Sequence, residues 1–303
     1  MNNPKCPLCN SFDTKFDLKA KDYFMLNGNS PDFHVYCCET CKNSFTSPFM
    51  SNEELGKYYP DTYDCYKSHS KFSGFLQNLK SLNDVRIIKK TMHDKNKNIL
   101  EIGSGSGMFL NLLKKEGYNV DGVEPSDSGV SYAKENYNLD LELAYFEDFE
   151  FKKKYDLIIM FHVLEHFNDP VSVLEKIKKN LNKDGILFIK VPRVDSWGAK
   201  IFRKYWSGYD LPRHRFHFSK NGLIGLLNKY SFHTILFKSD LYPLNTVRAI
   251  NYYSMFSKNK VKKIIFKALN ILPHIIKLCL AILFDIIMLP FKSGRMSIIV
   301  QKK

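Results

Sequence analysis

Short apolar runs and an amphipathic segment alternate in the middle of the chain. Asn98–Ile102 is an apolar run with an acidic residue near its end, which predicts a buried parallel strand. Residues 108–116 place apolar side chains on one side, as expected of a helix that Gly117 ends. Residues 118–123 form a second strand-like run. Strand, turn, helix and strand in this order are typical of folds that bind a nucleotide-type ligand.

The turn after the first strand contains Gly103, Gly105 and Gly107. Their spacing differs from the dinucleotide pattern G-x-G-x-x-G, and no Gly-Lys-Ser/Thr follows, so a phosphate cradle is not predicted. Glu101 lies at the edge of this loop, where its charge disfavours a phosphate and suits a cationic ligand. Glu124 ends the second strand, where a carboxylate can accept hydrogen bonds from both hydroxyls of a ribose.

Composition and charge narrow the class of protein. A chain of 303 residues favours about two domains, and 44% hydrophobic content suits a packed core. The formal net charge of +14 indicates an anionic partner such as nucleic acid, a membrane surface or a phosphorylated substrate. The first ten residues lack the apolar run of a signal peptide, and seven cysteines in this length do not suggest a disulfide framework. We therefore expect the cytoplasm.

Four cysteines form two pairs near the amino terminus. Cys6 and Cys9, and then Cys38 and Cys41, are each separated by two residues. Two such knuckles suit tetrahedral thiolate coordination of a structural zinc ion in a zinc ribbon. Cys37 neighbours the second pair but lacks the spacing. The alternative is four reduced cysteines in a small core.

The acidic residue and alternating glycines of residues 101–107, followed by Glu124, resemble the first motifs of class I S-adenosylmethionine (SAM)-dependent methyltransferases. The resemblance implies an α/β, Rossmann-like seven-stranded core over residues 97–303, with SAM as cofactor. It implies that Glu101 and the loop glycines hold the methionine end and that Glu124 holds the ribose. Its later strands correspond to the runs that begin at residue 155 and to residues 185–191, 232–237 and 296–300.

Two further segments continue this resemblance. A segment after the third strand contacts adenine in the family, and residues 144–149 occupy that place here. Either Glu147 or Asp148 can accept from the adenine amino group, and the choice stays open. The string HVLEH at residues 162–166 is similar to a pattern common in small-molecule methyltransferases, which places His162 in the cofactor pocket.

The cysteine pairs together with the core resemble a subgroup of bacterial sugar and glycan methyltransferases. This predicts a zinc ribbon over residues 1–50, a helical linker over 51–96 and the core over 97–303. Within the linker, residues 72–93 have apolar residues at helical spacing, and we expect this helix to pack between ribbon and core. The resemblance implies an acceptor-site insertion over residues 193–219.

Four basic or imidazole side chains lie close together in that insertion. They are Arg213, His214, Arg215 and His217. An arginine can bind a phosphate or pyrophosphate, and a histidine can remove a proton from the acceptor. The candidate bases are His166, His162, His214 and His217. The alternative for the insertion is a positively charged surface loop.

The HVLEH string also has metal-like spacing. His162, Glu165 and His166 stand at i, i+3 and i+4, which brings them together only on one helical turn. Quinone-precursor O-methyltransferases, which resemble this chain, use such a cluster for a divalent cation. We treat a metal here as the minor alternative to a cofactor-pocket role.

A basic and apolar helical segment is predicted over residues 243–292. Its central part is too short and too often interrupted by His274, Lys277 and Asp285 to predict a membrane span. Lysines beside an apolar helix suit a helix that lies in an anionic membrane surface. The alternative is a helix pair that covers the sheet or forms a dimer.

The main prediction is a SAM-dependent methyltransferase, cytoplasmic or membrane-associated, that acts on a saccharide or saccharide-linked acceptor. One alternative is an O-methyltransferase of a polyprenyl phenol in quinone biosynthesis, which shares the tail and the histidine cluster. RNA methylation is less expected, because the charge lies beside apolar residues and no base-methylation motif follows the fourth strand. A SAM-binding protein without catalysis is the non-enzymatic alternative.

Overall fold

A computed structural model describes residues 3–25, 28–59, 71–92, 94 and 96–303. The sequence also predicts a turn over residues 27–29 and a tyrosine-rich link over residues 58–63, of which Asn27 and residues 60–63 lie outside the described residues. The strands are β1 (Thr14–Ala20), β2 (Phe33–Cys38), β3 (Ser44–Ser47), β4 (Asn98–Ile102), β5 (Asn119–Glu124), β6 (Glu142–Leu143), β7 (Tyr155–Phe161), β8 (Leu181–Pro192), β9 (Phe216–His217), β10 (Phe232–Asp240) and β11 (Arg295–Lys302).

Helices connect these strands and cover the main sheet. They are α1 (Asn52–Gly56), α2 (Lys71–Thr91), α3 (Met108–Lys115), α4 (Asp127–Tyr137), α5 (Pro170–Asn180), α6 (Trp197–Phe202), α7 (Lys220–Lys229), α8 (Pro243–Phe256), α9 (Lys260–Ile271) and α10 (His274–Lys292). Two 3-10 turns occupy Leu164–His166 and Arg203–Tyr205. No single helix among the described residues is long and apolar enough to cross a membrane.

The main sheet has the order β10-β11-β8-β7-β4-β5-β6. Strands β4 to β8 are parallel, and β11 runs antiparallel between β8 and β10. The central strands are apolar on both faces because helices cover both faces, and residues 157–160 of β7 are all buried. The prediction of a seven-stranded α/β core is confirmed, and each strand predicted for it overlaps an observed one.

Helix α2 packs on the main sheet. Its buried Val85 and Ile88 lie in one apolar cluster with Leu113 of α3 and Phe188 of β8. The prediction of a helix within residues 72–93 is confirmed, but its place against the sheet differs from the expected place between ribbon and core. The apolar positions of its last turns face the sheet, and this burial determines where the helix lies.

The amino-terminal sheet has the order β1-β2-β3-β9. Its last strand comes from the predicted insertion: Phe45 of β3 pairs with Phe216 of β9. The isolated bridge between Arg193 and Phe218 continues this region towards the end of β8. The cysteine-containing segment is therefore joined to the core by backbone hydrogen bonds.

Candidate active site

The loop between β4 and α3 forms a narrow turn at the carboxyl end of the central strands. Gly103, Gly105 and Gly107 have φ angles of 67°, 56° and 71°, a region that side chains disfavour. A Cβ atom on Gly103 would lie 2.5 Å from Cγ2 of Val163, so the side chain of Val163, in the turn after β7, leaves no room for a larger residue in the loop. The glycines therefore serve both conformation and close approach.

Glu124 holds this loop from the end of β5. Its Oε2 accepts from the Gly105 N–H at 2.7 Å and its Oε1 from the Ser126 N–H at 3.0 Å. The carboxylate thereby lies beside the loop at the edge of the sheet, where the sequence predicts a ribose contact. The Ala144 N–H donates to the Glu124 carbonyl at 3.2 Å, so the predicted adenine segment begins next to it.

Glu101 is buried next to the same loop. It is 4% exposed, and its Oε2 is buried without a hydrogen-bond partner in the part of the chain that the structure describes. Burial, with a smaller contribution from the charge of Glu124, raises the pKa of Glu101 well above its usual range. A buried carboxylate with an unsatisfied oxygen fits a cationic group such as the ammonium of SAM and disfavours a phosphate.

The segment over residues 144–149 follows β6. Phe146 and Phe149 are buried, whereas Glu147 and Asp148 are exposed at the surface. The Asp148 N–H donates to the Tyr145 carbonyl at 3.1 Å, which makes this segment a tight turn. Both carboxylates remain accessible to an adenine amino group, and the choice between them stays a prediction.

His162 ends β7 in a left-handed conformation, with a φ of 61°. Its N–H donates to the Lys190 carbonyl at 2.8 Å, and its Nδ1 lies 3.4 Å from Oε1 of Glu165. Its ring stacks on Tyr242 with 6.3 Å between centroids. Because the turn that follows is a 3-10 turn over Leu164–His166, His162 and His166 do not share one α-helical turn.

The structure instead joins Glu165 and His166 with His214 of the insertion. One ligand atom from each of the three side chains lies within 4.8 Å of the others. Two links bring the insertion here: the Arg215 N–H donates to the Glu165 carbonyl at 2.9 Å, and His166 Nδ1 lies 3.1 Å from the Arg213 carbonyl. Because Arg213, whose carbonyl faces His166, lies 47 residues further along the chain, local spacing could not predict that His214 joins this cluster.

Backbone carbonyls favour one tautomer of each imidazole. His166 Nδ1 faces the Arg213 carbonyl, and His214 Nδ1 faces the Gly208 carbonyl at 2.9 Å. Because a carbonyl only accepts, these contacts favour a proton on each Nδ1 and a lone pair on each Nε2; at His166 the Tyr59 hydroxyl also lies 3.2 Å from Nδ1. This arrangement suits either a proton acceptor or a ligand to a divalent cation, whose histidine ligands commonly donate to a backbone carbonyl.

Glu165 supplies the acidic group of this cluster. It is completely buried, and among the described residues neither carboxylate oxygen has a hydrogen-bond partner. Burial raises the pKa of Glu165 to about 8 and lowers the pKa of His166 to about 3. The donor set of one carboxylate and two imidazoles fits a divalent cation, and it equally fits a histidine base whose positive charge the carboxylate stabilises.

The other members of the insertion join the two sheets. His217 Nε2 lies 2.9 Å from the Thr46 hydroxyl, and its ring packs against Tyr209. Arg215 donates to the Asn52 side chain at 2.9 Å and to the Met50 carbonyl. These contacts favour a structural role for both, and the choice of base rests on His166 and His214.

Arg213 is fully buried in an ion-pair cluster. Its guanidinium donates to both oxygens of Asp22, at 2.8 and 3.0 Å, and to Oδ1 of Asp210 at 2.7 Å. The Tyr58 carbonyl accepts at 2.9 Å. The expectation that Arg213 binds a phosphate is therefore wrong, because two carboxylates already occupy its donors.

Removal of one charge from this cluster is expected to destabilise the fold. In Asp22→Asn, Arg213 stays buried with only Asp210 to balance it, and we expect the free energy of unfolding to fall by about 3–5 kcal/mol. Urea denaturation measures this change. Asp32→Asn removes a carboxylate that pairs with Lys19 at the surface, and a loss of similar size in that control would contradict the account.

The four predicted cysteines come together at the start of the amino-terminal sheet. Cys6 Sγ lies 3.7 Å from Cys41 Sγ, Cys9 Sγ lies 3.5 Å from Cys38 Sγ, and all four sulfurs lie within 4.8 Å of one another. Tetrahedral zinc with bonds of about 2.3 Å separates its sulfurs by about 3.8 Å. The arrangement fits zinc, and Cys37 is not part of the cluster.

Comparison with known proteins agrees with the methyltransferase resemblance seen in the sequence. A family model described as a methyltransferase domain matches residues 77–236. The ubiquinone biosynthesis O-methyltransferase of Actinobacillus pleuropneumoniae is 33% identical over 103 residues, which is 30% of this chain and 44% of that protein. The protein with the same description in Pelagibacter ubique is 25% identical over 199 residues, which is 59% of this chain and 82% of that protein.

Among solved structures, a putative sarcosine dimethylglycine methyltransferase from Galdieria sulphuraria superimposes with a TM-score of 0.50 at 15% identity. The match covers 76% of this chain and 86% of that one, and it concerns the fold alone. The chain spans less than half of the first curated relative and most of the second.

Proposed function

We propose that this chain, which belongs to the methyltransferase domain family with a match over residues 77–236, O-methylates a polyprenyl phenol or a similar lipid-linked hydroxyl acceptor. The observation that carries the proposal is the cluster of Glu165, His166 and His214 at the carboxyl end of β7. The curated relatives described as ubiquinone biosynthesis O-methyltransferases favour a phenolic hydroxyl.

The cofactor end of the site is provided by the loop after β4. SAM supplies a methyl group that its sulfonium already activates. Glu101 would pair with the ammonium, Glu124 with the ribose hydroxyls, and Gly103 allows the backbone to approach. These residues hold and orient the donor, which is most of what an in-line methyl transfer needs.

The acceptor end is provided by the histidine cluster. His166 Nε2 would take the proton of the acceptor hydroxyl as the oxygen bonds to the methyl carbon and the carbon–sulfur bond breaks. The Glu165 carboxylate would stabilise the resulting imidazolium. In the alternative arrangement, a divalent cation at the same three side chains would bind the acceptor oxygen directly.

The acceptor class is tested with short-chain polyprenyl catechols as substrates, in the presence and absence of EDTA. The proposal expects a methoxy product by mass spectrometry. Loss of the product with EDTA and its return with Mg²⁺ support the cation arrangement, and product in both supports the histidine base. No product from any catechol, with turnover of a nucleotide sugar, would contradict the phenolic acceptor.

A saccharide-linked acceptor is the second candidate. The four-cysteine cluster favours it, because the combination of a zinc ribbon with this core resembles bacterial sugar and glycan methyltransferases. The ribbon is also connected to the acceptor region, since the Thr46 hydroxyl donates to the His214 carbonyl at 2.8 Å. The same assay with nucleotide sugars and lipid-linked saccharides separates the two classes.

A structural zinc ion at Cys6, Cys9, Cys38 and Cys41 is part of the proposal. Cys6→Ser combined with Cys9→Ser is expected to remove about one zinc per chain and to destabilise the amino-terminal sheet, because structural zinc contributes folding energy directly. Inductively coupled plasma mass spectrometry measures the metal. Cys37→Ser is the matched control and should retain it. Equal zinc in both variants would contradict the site.

A further inference from the structure

Helix α9 carries an apolar stripe that faces away from the protein. Val261, Ile264, Ile265 and Ile271 recur at helical spacing, and Ile264 and Ile271 are 68% and 84% exposed. None of the side chains of α9 is fully buried. Its inward contact is made by Phe266, whose ring stacks on Tyr253 of α8 with 4.4 Å between centroids. The apolar face of this amphipathic helix is therefore left in solvent.

Helix α10 presents a second exposed stripe. Ile276, Leu280, Leu283 and Ile287 follow at intervals of three and four residues, and each is between 44% and 54% exposed. The opposite side packs on the body of the protein through Leu278 and other residues shared with α8. The chain bends by 117° between α9 and α10, so together they form a bent pair at the surface.

Charge around the two stripes has one sign. Lys258, Lys260, Lys262 and Lys267 are exposed beside the α9 stripe. The sequence contains no aspartate or glutamate between residues 241 and 284. The one acid of α10, Asp285, is buried and faces inward, where it accepts from the Tyr242 N–H at 2.7 Å and the Thr246 hydroxyl at 3.2 Å.

We propose that the surface formed by Val261, Ile264, Ile265 and Ile271 of α9 with Ile276, Leu280, Leu283 and Ile287 of α10 docks on an anionic lipid membrane. The apolar side chains would enter the boundary between headgroups and acyl chains, and the exposed lysines would lie among the anionic headgroups. The bent pair lies in one leaflet. This inference rests on exposure and charge, and it holds whichever acceptor is methylated.

The alternatives fit these side chains less well. A second copy of the chain would place two sets of lysines against each other, at a cost in electrostatic repulsion. A nucleic acid would satisfy the lysines but would place a large apolar surface against phosphates. A membrane interface satisfies both the apolar stripes and the charge.

The docking surface is connected to the active site. Asp285 holds the backbone of Tyr242, and the Tyr242 ring stacks on His162 next to Glu165. A membrane-held acceptor would reach the site from the leaflet on which the helices lie.

Flotation of the full-length protein with lipid vesicles tests the inference. Wild type is expected to float with vesicles of phosphatidylcholine containing about 30% phosphatidylglycerol, and at least about tenfold less with phosphatidylcholine alone. Ile264→Glu combined with Ile271→Glu is expected to bind the anionic vesicles at least about tenfold more weakly. Ile235→Glu replaces an isoleucine of β10 that is 47% exposed and lies outside α9 and α10, and it should bind as wild type does.

A charge variant measures the electrostatic contribution to membrane binding. Replacing Lys260, Lys262 and Lys267 with glutamine is expected to weaken binding about a hundredfold. The matched control replaces the exposed Lys15, Lys179 and Lys183 with glutamine and should weaken binding much less. Circular dichroism melting confirms that each variant is folded. The proposal is overturned if wild type does not float with the anionic vesicles at low salt. It is also overturned if sedimentation shows a dimer that Ile264→Glu combined with Ile271→Glu dissociates.

Discussion

Glu124→Ala is expected to weaken the binding of SAM and S-adenosylhomocysteine about 100-fold. The substitution removes the predicted ribose acceptor and also releases the Gly105 and Ser126 N–H groups, which now donate to the carboxylate. Hydrogen bonds to a charged group contribute about 1.5–3 kcal/mol each, so the loss of two or more amounts to at least two orders of magnitude. Isothermal titration calorimetry with S-adenosylhomocysteine measures it.

Glu142→Ala is the matched control, because Glu142 lies at the end of the next strand and pairs with the exposed Lys152. Its affinity for the cofactor should stay within about twofold of wild type. Glu124→Gln is expected to fall between the two, since the amide oxygen accepts one of the hydrogen bonds. If Glu124→Ala binds the cofactor with wild-type affinity, the carboxyl end of β5 is not part of the cofactor site.

His166→Ala is expected to lower kcat by about 10²–10⁴-fold and to leave the affinity for S-adenosylhomocysteine unchanged. The substitution removes the imidazole that lies in the cluster with Glu165 and His214, while the cofactor loop is held by other residues. His214→Ala should produce a loss of the same order in the cation arrangement, which uses all three side chains, and a smaller loss where His166 alone is the base. Single-turnover kinetics with a saturating acceptor measures the chemical step.

His233→Ala is the control for loss of an imidazole, since His233 lies in β10 outside the cluster. It should retain kcat within about threefold. A His166 variant with unchanged kcat would show that neither a histidine base nor a cation at this position takes part. A variant that loses kcat and cofactor binding together would instead point to a structural role of the turn after β7.

The sheet was predictable from the sequence because its strands are short apolar runs buried on both faces. Asn98–Ile102 and residues 118–123 alternate with a helix whose apolar side is periodic, and these local patterns survive folding unchanged. The place of α2 was not predictable in the same way. Its spacing indicates a helix, but the surface that buries Val85 and Ile88 is formed by distant strands.

The cofactor loop was predictable for a similar reason, since its glycines and its two acids lie within one strand–helix–strand unit. The acceptor site depends on distant contacts. His214 joins Glu165 and His166 because a 3-10 turn and the Arg213 carbonyl set the geometry, while His162, which precedes that turn, contacts Glu165 separately. Tyr242 carried no signal in the sequence, because its contact with His162 follows from the packing of α8.

The misassigned arginine illustrates the same limit. Arg213 belongs to a basic string that indicates an anion site, but Asp22, which pairs with it, lies 191 residues away in the chain. A long-range ion pair leaves no local pattern. The basic residues of the insertion therefore join the cysteine-containing sheet to the core, while the backbone between them positions the histidine cluster.

Transfer of labelled methyl from SAM tests the central claim most directly. The purified protein is incubated with methyl-labelled SAM and an extract of its own host, and the products are separated into lipid, nucleic-acid and water-soluble fractions. The account predicts label in the lipid fraction, on a methoxy group, with wild type and none above background with Glu124→Ala. Label confined to the water-soluble or nucleic-acid fraction, or no protein-dependent label, would contradict it.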